Sequence, residues 1–402
     1  MTSRRTILSA TANGLALAAA GLLGRAARAD LPRGALDAAA LETLPGKQPL
    51  LRRSFRPPNY EAPLGYFNDV ITPNERFFVR WHLANIPQID AATWRLDVGG
   101  DAAAQGFQLS LDQLKHEFEP AELVAVCQCA GNRRGYSDPH VLGVQWGPGA
   151  MGNARWRGAR LKDILTRAGV RKDAVEVAFN GTDRAPLDAT PAFVKSIPAW
   201  KAMDENTLVA YEMNGAPLPH LNGFPARIVV PGWTSTYWMK QVSVIRALSQ
   251  PLVGFWVNTA YRMPKGKFAV VDRFVSQESE TSTPITEILV NSLITQPVDG
   301  ARLPVGKPVY VAGLAWDGGA GIRRIEVSLD GGNSWSAADL GPDIGRYSFR
   351  PWRFSFTPAT PAHQLIMARA SNAQGTIQPL ELIFNAPGYH NNVVQKLAVE
   401  IA

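Results

Sequence analysis

The sequence predicts an α+β domain followed by a β-sandwich. The chain has 402 residues, more than a single hydrophobic core usually organises. Its first part mixes one helical repeat of apolar residues with short strand-like runs. From about residue 284 apolar and polar residues alternate, and no helical pattern interrupts them. Such an alternation is typical of two packed sheets.

The first 29 residues have the pattern of an export signal. Arg4 and Arg5 precede an apolar run over 15–23, and Ala27-Arg28-Ala29 offers small residues for cleavage. The run is shorter than the roughly 18 residues that span a bilayer, so we expect no membrane anchor. Paired arginines favour the twin-arginine pathway, and a general secretory signal is the alternative. We therefore expect a periplasmic protein.

Residues 30–75 and 76–275 differ in proline content and in the periodicity of their apolar residues. The first range is rich in proline with few periodic segments, which predicts an extended arm lying on the domain that follows. In the second range an apolar face over 159–168, closed by Gly169, predicts a helix. Strand-like runs occupy 175–179, 227–230 and 242–245. This mixture predicts the α+β domain.

A polar stretch separates this domain from the sandwich. Residues 276–284 are mostly serine, threonine and glutamate, which favours a linker. Beyond them, apolar residues alternate over 325–329 and run into Asp330-Gly331-Gly332-Asn333, a hairpin signal. A second alternation covers 352–356. The sandwich is therefore predicted over 284–402.

Composition and charge exclude several classes of protein. Hydrophobic residues make up 46% and charged residues 19%, which excludes disorder and a charged coiled coil. The net charge is +7, and without the four arginines of the acid-free first 29 residues it is +3, too low to indicate nucleic-acid binding. Two cysteines are too few for a disulfide scaffold or a protein-ligated iron–sulfur cluster, and Cys-x-x-Cys-His haem attachment is absent.

The most informative string is Val126-Cys127-Gln128-Cys129-Ala130-Gly131-Asn132-Arg133-Arg134. Cysteines one residue apart rarely form a disulfide, and two thiolates are too few for a structural zinc site. A cysteine followed by a glycine turn and two arginines remains. The guanidinium groups would favour the thiolate and could gather an anion beside it. From these residues alone, a buried structural cysteine beside a surface arginine pair is an equal alternative.

Further motifs follow in order along the chain: Phe77-Phe78-Val79-Arg80-Trp81-His82, Gly143-Val144-Gln145-Trp146, Met213 to Pro219, Asn222 to Arg227, Val229 to Trp233, and Trp238-Met239-Lys240. From about residue 60 onward this set resembles the sulfite oxidase family of molybdenum enzymes, and within it the bacterial periplasmic sulfite dehydrogenases. The resemblance implies a molybdopterin-binding α+β domain followed by an immunoglobulin-like domain that mediates dimers.

The resemblance also implies roles for single residues. Cys129 matches the thiolate ligand of molybdenum, whereas Cys127 is expected to be a small core residue. Catalytic or substrate-binding roles are implied for Arg80 and Arg134 facing the substrate pocket, Trp146 as an aromatic wall, Tyr261 beside the metal, and His82 bracing Arg80.

Cofactor contacts are implied in the same way. Arg227 and Lys240 match positions that bind the cofactor phosphate, Asn222 is expected to be a further cofactor contact, and Asp183 is the candidate acid for the pterin. Backbone contacts are expected from Phe78, Val79, Arg80, Trp81 and His82 and from Trp238, Met239 and Lys240.

Two positions depart from the family pattern. Asn222 stands where vertebrate relatives have a histidine, and it can donate a neutral hydrogen bond only. The segment 388–392 lies where relatives supply another pocket arginine, but it contains none. We therefore expect a less positive pocket than in those relatives.

The implied activity is oxidation of sulfite to sulfate at molybdenum held by molybdopterin. Arginines suit this substrate because their planar fork binds oxyanions. The cofactor performs the oxygen transfer. The electrons are expected to leave one at a time to a separate periplasmic cytochrome c, and the chain is expected to form a homodimer.

Three alternatives remain open. The nearest is the molybdenum subunit of the thiosulfate-oxidising system, which oxidises protein-bound sulfane sulfur. A periplasmic molybdenum reductase of methionine sulfoxide is disfavoured, because that group lacks the trailing β-domain predicted here. From a different class, the chain could be a cofactor-free binding protein built on a sandwich domain.

Overall fold

An α+β domain and a β-sandwich follow one another in the computed structural model, which describes residues 39–402. This agrees with the predicted fold class. The predicted signal peptide over 1–29 and the start of the arm lie outside the described residues. Among residues 39–402, no helix has the length and apolar character needed to cross a membrane.

The arm is part of a sheet. Strands β1 (Leu41–Glu42), β2 (Leu50–Ser54) and β3 (Asn59–Glu61) pair in antiparallel order, and β3 pairs with β4 (Val79–Arg80). The arm also shares a hydrophobic core with both domains, through buried residues that include Leu50, Val126 and Trp316. The arm thus lies on the α+β domain in extended strands, as the sequence predicts, and it also packs against the sandwich.

The α+β domain contains two sheets and four short helices. Its strands are β5 (Leu96–Gly99), β6 (Phe107–Leu109), β7 (Pro120–Gln128), β8 (Met151–Arg160), β9 (Glu176–Gly181), β10 (Val194–Pro198), β11 (Leu208–Met213), β12 (Ala216–Pro217), β13 (Arg227–Val229) and β14 (Val242–Leu248). The α-helices are α1 (Leu111–His116), α2 (Leu161–Arg167), α3 (Ala199–Ala202) and α4 (Phe255–Asn258). One sheet has the order β10-β9-β14-β5-β6 and the other β12-β11-β8-β7, with β13 paired to β11.

Short 3₁₀ turns connect several of these elements. They cover Leu64–Phe67, Asn74–Arg76, Arg134–Tyr136, His220–Asn222, Ser235–Tyr237 and Val275–Gln277. The predicted helix over 159–168 begins at Leu161, because β8 extends to Arg160. Gly169, with a φ of +62°, ends the helix in the left-handed conformation that favours glycine. Strands are found at all three predicted places.

The predicted linker is folded onto the α+β domain. It contributes β16 (Ser282–Pro284), which pairs with β15 (Arg262–Pro264). Before that strand, Ser276 Oγ and Gln277 Nε2 each donate to the fully buried Glu176 carboxylate at 2.7 Å. The segment that connects the two domains is therefore ordered, because the buried carboxylate requires donors that this polar segment supplies.

The C-terminal region forms the predicted sandwich. Its strands are β17 (Asn291–Gln296), β18 (Arg302–Leu303), β19 (Val309–Trp316), β20 (Ile322–Ser328), β21 (Ser336–Ala337), β22 (Asp339–Leu340), β23 (Arg350–Phe356), β24 (Ala362–Asn372) and β25 (Gln395–Ile401). The sheet orders are β17-β19-β23-β22 and β18-β25-β24-β20-β21. Ile325 and Trp352, both predicted to alternate inward, lie in the core between the sheets. The predicted hairpin turn joins β20 to β21.

Candidate active site

The two cysteines lie at the end of strand β7. Cys127 is the last residue but one of the strand, and Cys129 follows its end. Alternate residues of extended chain point to the same side, and both cysteines line one cavity. The Cys129 amide donates to the Ala150 carbonyl at 2.9 Å, which fixes the backbone of the predicted ligand. Cys127 is buried, as expected for a core residue, but it also contributes to the cavity wall.

The cavity brings together residues from segments far apart in the chain. Eight of the predicted site residues line it: Phe78, Arg80, His82, Cys129, Asn222, Arg227, Lys240 and Tyr261. Six lining residues were not predicted for the site: Phe77, Cys127, Ala130, Leu221, Ser235 and Thr236. For Cys127 a signal was present, because its spacing of two from Cys129 places it on the same side of an extended strand.

Tyr261 is held in an unusual conformation at the cavity wall. Its φ of +60° lies in the left-handed region, which is costly for a residue with a side chain. The hydroxyl contacts His82 Nε2 and lies 3.4 Å from a terminal nitrogen of Arg80. The surroundings therefore fix both the backbone and the hydroxyl of this residue.

His82 orients Tyr261 and does not brace Arg80. Its ring stacks on Phe193, with centroids 3.6 Å apart. Burial, together with the charges of Arg80 and other nearby cations, lowers the pKa of His82 well below its usual value. A neutral imidazole can accept the hydroxyl proton of Tyr261 in a hydrogen bond. Arg80 is instead held by Asn59 Oδ1 at 3.2 Å and by the Trp81 carbonyl.

Arg134 does not line the cavity, contrary to the prediction. Its Nε donates to the Pro387 carbonyl at 2.8 Å, and its guanidinium carbon lies 5.2 Å from the centre of the Tyr389 ring. The same ring stacks on Tyr261, with centroids 5.6 Å apart. The Tyr389 ring thus lies between Arg134 and Tyr261. Tyr389 follows the sandwich strand β24 and was not predicted for the site.

Glycines make the space that Arg134 fills. A Cβ on Gly131 or Gly143 would lie 2.6–2.8 Å from the Arg134 guanidinium, and one on Gly388 would lie 2.8 Å from Arg134 Cγ. Such distances are not tolerated, so these three positions require glycine as long as Arg134 keeps this place.

Trp146 is fully buried and does not form a wall of the cavity, contrary to the prediction. Its carbonyl accepts from the Gly135 amide at 2.8 Å and so supports the loop that carries Arg134. Its indole Nε1–H has no hydrogen-bond partner. A buried donor without a partner is costly and marks a place where an acceptor is missing.

Cations gather at the other end of the cavity. The guanidinium group of the buried Arg227 donates to the carbonyls of Asn222 at 3.0 Å and Trp238 at 3.3 Å, while its Nε has no partner. Lys240 Nζ lies 4.6 Å from the centre of the Trp81 ring. Burial, with the charge of Arg227, lowers the pKa of Lys240 to about 7.

One predicted acid faces these cations. Asp183 is buried, and burial raises its pKa while Lys240 opposes that shift. Gly181, the last residue of β9, allows this strand to approach the backbone of Lys240 closely, since a Cβ there would lie 2.6 Å from the Lys240 carbonyl oxygen. A single carboxylate is too little negative charge for the cations around it.

The remaining predicted residues support the cavity from behind. Val79 and Trp81 are buried in the core shared with the arm, and the Trp81 indole donates to the Leu221 carbonyl at 2.9 Å. Met239 and Trp238 are buried, and the Met239 carbonyl accepts from the Ile228 amide at 2.8 Å.

Two buried lysines near the site were not predicted. Lys195 Nζ donates to the Trp256 carbonyl at 2.7 Å and lies 5.5 Å from the centre of the Tyr261 ring. Its alternation with Phe193 and Ile197 on an apolar strand face was a signal of burial. Lys47, on the arm, donates to the side chain of Asn222. Nothing in the local sequence pairs residues 47 and 222.

This donor set fits a molybdenum–molybdopterin cofactor. Within residues 39–402 no group of three histidine, cysteine or acidic side chains is placed to hold a metal, so a metal at Cys129 would take its other ligands from a cofactor. A thiolate suits a metal already bound by sulfur. Arg227 and Lys240, with the unpartnered Arg227 Nε, would hold the cofactor phosphate.

Comparison with known proteins agrees with this fit. A family model described as "Oxidoreductase molybdopterin binding domain" matches residues 82–256, and one described as "Mo-co oxidoreductase dimerisation domain" matches 282–402. Mitochondrial sulfite oxidase of Rattus norvegicus is 36% identical over 89% of this chain and 67% of its own length. Sulfite oxidase of Gallus gallus is 35% identical over 83% and 74%.

A solved structure shares the fold. The sulfane dehydrogenase SoxCD from Paracoccus pantotrophus superposes with a TM-score of 0.73 at 24% identity, covering 86% of this chain and 85% of that one.

Proposed function

This chain belongs to the sulfite oxidase family of molybdopterin-dependent oxidoreductases, and on that premise we propose that it oxidises sulfite to sulfate and passes the electrons singly to a cytochrome c. The observation that carries the proposal is the placement of Arg80, Tyr261 and Cys129 around one cavity. Both sulfite oxidases compared above are at least 35% identical to this chain.

Each of these residues has a distinct task in the proposal. Molybdenum held by molybdopterin would supply the oxygen-transfer chemistry when bound. The Cys129 thiolate would hold the metal, and Arg80 would bind the anionic substrate with its remaining N–H groups. His82, kept neutral, holds the Tyr261 hydroxyl toward the substrate.

Arg134 contributes charge without direct contact in this arrangement. Its guanidinium lies behind Tyr389, which packs on Tyr261. Cations placed near a reacting anion stabilise the charge that changes during oxidation. The walls around Cys129 are buried, which limits competing solvent.

One observation supports a second candidate, the molybdenum subunit of a sulfur dehydrogenase that acts on protein-bound sulfane sulfur. Segment 388–392 contains no arginine, although the resemblance to the family implies one there, and Tyr389 places an aromatic ring beside Tyr261. A less positive and more apolar pocket would favour a substrate with less negative charge than free sulfite. The likeness to SoxCD extends to the fold alone.

We propose that two copies associate through residues 282–402, which match the dimerisation family model. We also propose periplasmic location after twin-arginine export. Light scattering on the purified protein tests the first statement, and a monomer would contradict it. Fractionation of cells that carry an inactivated twin-arginine pathway tests the second, and export that continues unchanged would contradict it.

The deciding experiment combines molybdenum content with turnover. We expect one molybdenum per chain and sulfite-dependent reduction of cytochrome c. Turnover of a protein-bound persulfide, with none of free sulfite, would favour the sulfur dehydrogenase instead. A folded protein without molybdenum, purified from a host that makes the cofactor, would favour a cofactor-free binding protein.

Arg80→Gln tests the substrate site within the same assay. Losing one charge-assisted contact to the reacting anion is expected to lower kcat/KM for sulfite by about 30- to 1,000-fold, equivalent to ~2–4 kcal/mol. Arg76→Gln is the matched control, because Arg76 lies on the same segment but bonds to Gln48 outside the cavity. An unchanged kcat/KM in Arg80→Gln would contradict the role of Arg80 in substrate binding.

A further inference from the structure

Lys47 is a buried cation without an acidic hydrogen-bond partner. The residue is 6% exposed, and its ammonium group donates to the Asn74 carbonyl at 2.6 Å and to Asn222 Oδ1. Both acceptors are neutral. A buried ammonium group normally pairs with an anion, because neutral oxygens do not replace the hydration of a full charge.

The fold holds Lys47 firmly at this position. Gly46, with a φ of +71°, turns the arm immediately before it, and the Gln48 amide donates to the Glu75 carbonyl at 2.8 Å. Leu50, three residues further, is fully buried at the start of β2. The lysine is therefore not a surface side chain that has folded inward by chance.

Asn222 joins Lys47 to the cationic end of the cavity. Its Oδ1 accepts from Lys47, its Nδ2 donates to the Phe78 carbonyl at 3.1 Å, and its own carbonyl accepts from Arg227 at 3.0 Å. Asn222 lines the cavity, whereas Lys47 lies behind it. Asn222 itself is neutral, so the nearest charge behind this part of the cavity wall is the ammonium group of Lys47.

We propose that Lys47 is a further residue of the cofactor phosphate site, which supplies positive charge from behind the neutral Asn222 and makes the arm part of that site. The proposal goes beyond the reaction catalysed, because it holds for any sulfur substrate. It assigns the arm a function in retaining the cofactor.

The charge balance agrees with an anion at this place. Burial lowers the pKa of Lys47 to about 7, and Glu75 opposes that shift at longer range. A phosphate near Asn222 would favour the charged ammonium group and so bind more tightly itself. The arm and the cofactor would thereby stabilise each other.

Retention of the cofactor tests the proposal without reference to turnover. Lys47→Gln keeps a hydrogen-bond donor for Asn222 but removes the charge. Molybdenum and pterin per chain are measured over time in phosphate-free buffer, the pterin by fluorescence after oxidation. We expect at least about tenfold faster loss than from the wild type, the low end of what a hydrogen bond from a charged donor contributes. Retention at the wild-type rate would overturn the proposal.

Two further variants separate charge from structure. Lys47→Arg should retain the cofactor, and Lys47→Gln combined with Asn222→His should regain it, because the charge returns at the neighbouring position. Failure of both to improve on Lys47→Gln would overturn the proposal, and these two variants decide the matter if Lys47→Gln alone does not fold. Arg52→Ala is the control, since Arg52 is an exposed cation of the same arm paired with Glu42.

Discussion

Glu61 provides the sharpest test of the way the arm is built into the protein. Its carboxylate is buried at the end of β3, with 1% exposure. One oxygen accepts from the Gly147 amide at 2.7 Å and from Arg53 Nε at 2.8 Å, and the other accepts from the Gly149 amide at 2.9 Å. The arm thus supports the loop that follows Trp146.

Replacing Glu61 by glutamine removes the negative charge and one of the two acceptor oxygens. The amide oxygen can still accept from one glycine, but the amide N–H₂ then faces the other N–H donor. Arg53, whose side chain is only 6% exposed, loses its anionic partner. Removing one partner of a buried pair costs about 3–5 kcal/mol, and an unsatisfied backbone amide about 1–3 kcal/mol. We expect the free energy of unfolding to fall by about 3–5 kcal/mol.

Urea unfolding of the cofactor-free protein measures this change without the contribution of ligand binding. Glu122→Gln is the matched control, because Glu122 and Arg155 form an exposed pair whose loss should cost less than about 1 kcal/mol. A Glu61→Gln variant no less stable than Glu122→Gln would refute the reasoning that the arm is integral to the fold.

Three other predictions concern the site. Cys129→Ser should abolish sulfite oxidation while Cys127→Ser retains most of it, as measured by sulfite-dependent cytochrome reduction; equal effects would contradict the ligand assignment. Tyr389→Leu removes a ring contact with Arg134 worth about 1 kcal/mol, so KM for sulfite should rise severalfold while Tyr389→Phe stays near the wild type; an unchanged KM in the leucine variant would show that this contact does not affect sulfite binding. Burial lowers the pKa of Lys195 from its ordinary value of 10.5 to about 7. Between these two pH values the unfolded chain therefore binds more protons than the folded protein, so the free energy of unfolding of the cofactor-free protein should rise with pH. Relative to Lys195→Met, the wild type should gain up to about 3 kcal/mol between pH 7 and 9.5 in urea unfolding, and parallel curves would contradict the assignment.

Local patterns were enough to predict the main elements of the fold. Apolar spacing located helix α2, and alternation located β20 and β23, because both periodicities report directly which face is buried. The packing of the arm and the linker was not predicted, for the opposite reason. Their order depends on partners such as Glu176, which lies 101 residues from Gln277, and composition alone cannot supply that information.

In the candidate site, too, some features were predictable from the sequence and others were not. Motifs that are short in sequence, such as Arg80 to His82, meet at the cavity when their segments are brought together. Contacts between distant segments had no signal: Arg134 meets Pro387 across 253 residues, and Lys47 meets Asn222 across 175. Trp146 was placed at the pocket wall by the family resemblance alone, and a buried tryptophan is equally compatible with a core position.

The packing of Tyr389 against Tyr261 has a practical consequence for engineering. A mutant library confined to residues 76–275 would hold constant one of the rings that packs on Tyr261 and the carbonyl that fixes Arg134. Selection for a new sulfur substrate would then explore only part of the surface that surrounds it. A library that also varies residues 387, 389 and 390 would sample the part of that surface contributed by the second domain. Gly388 should stay fixed, because a larger residue would collide with Arg134.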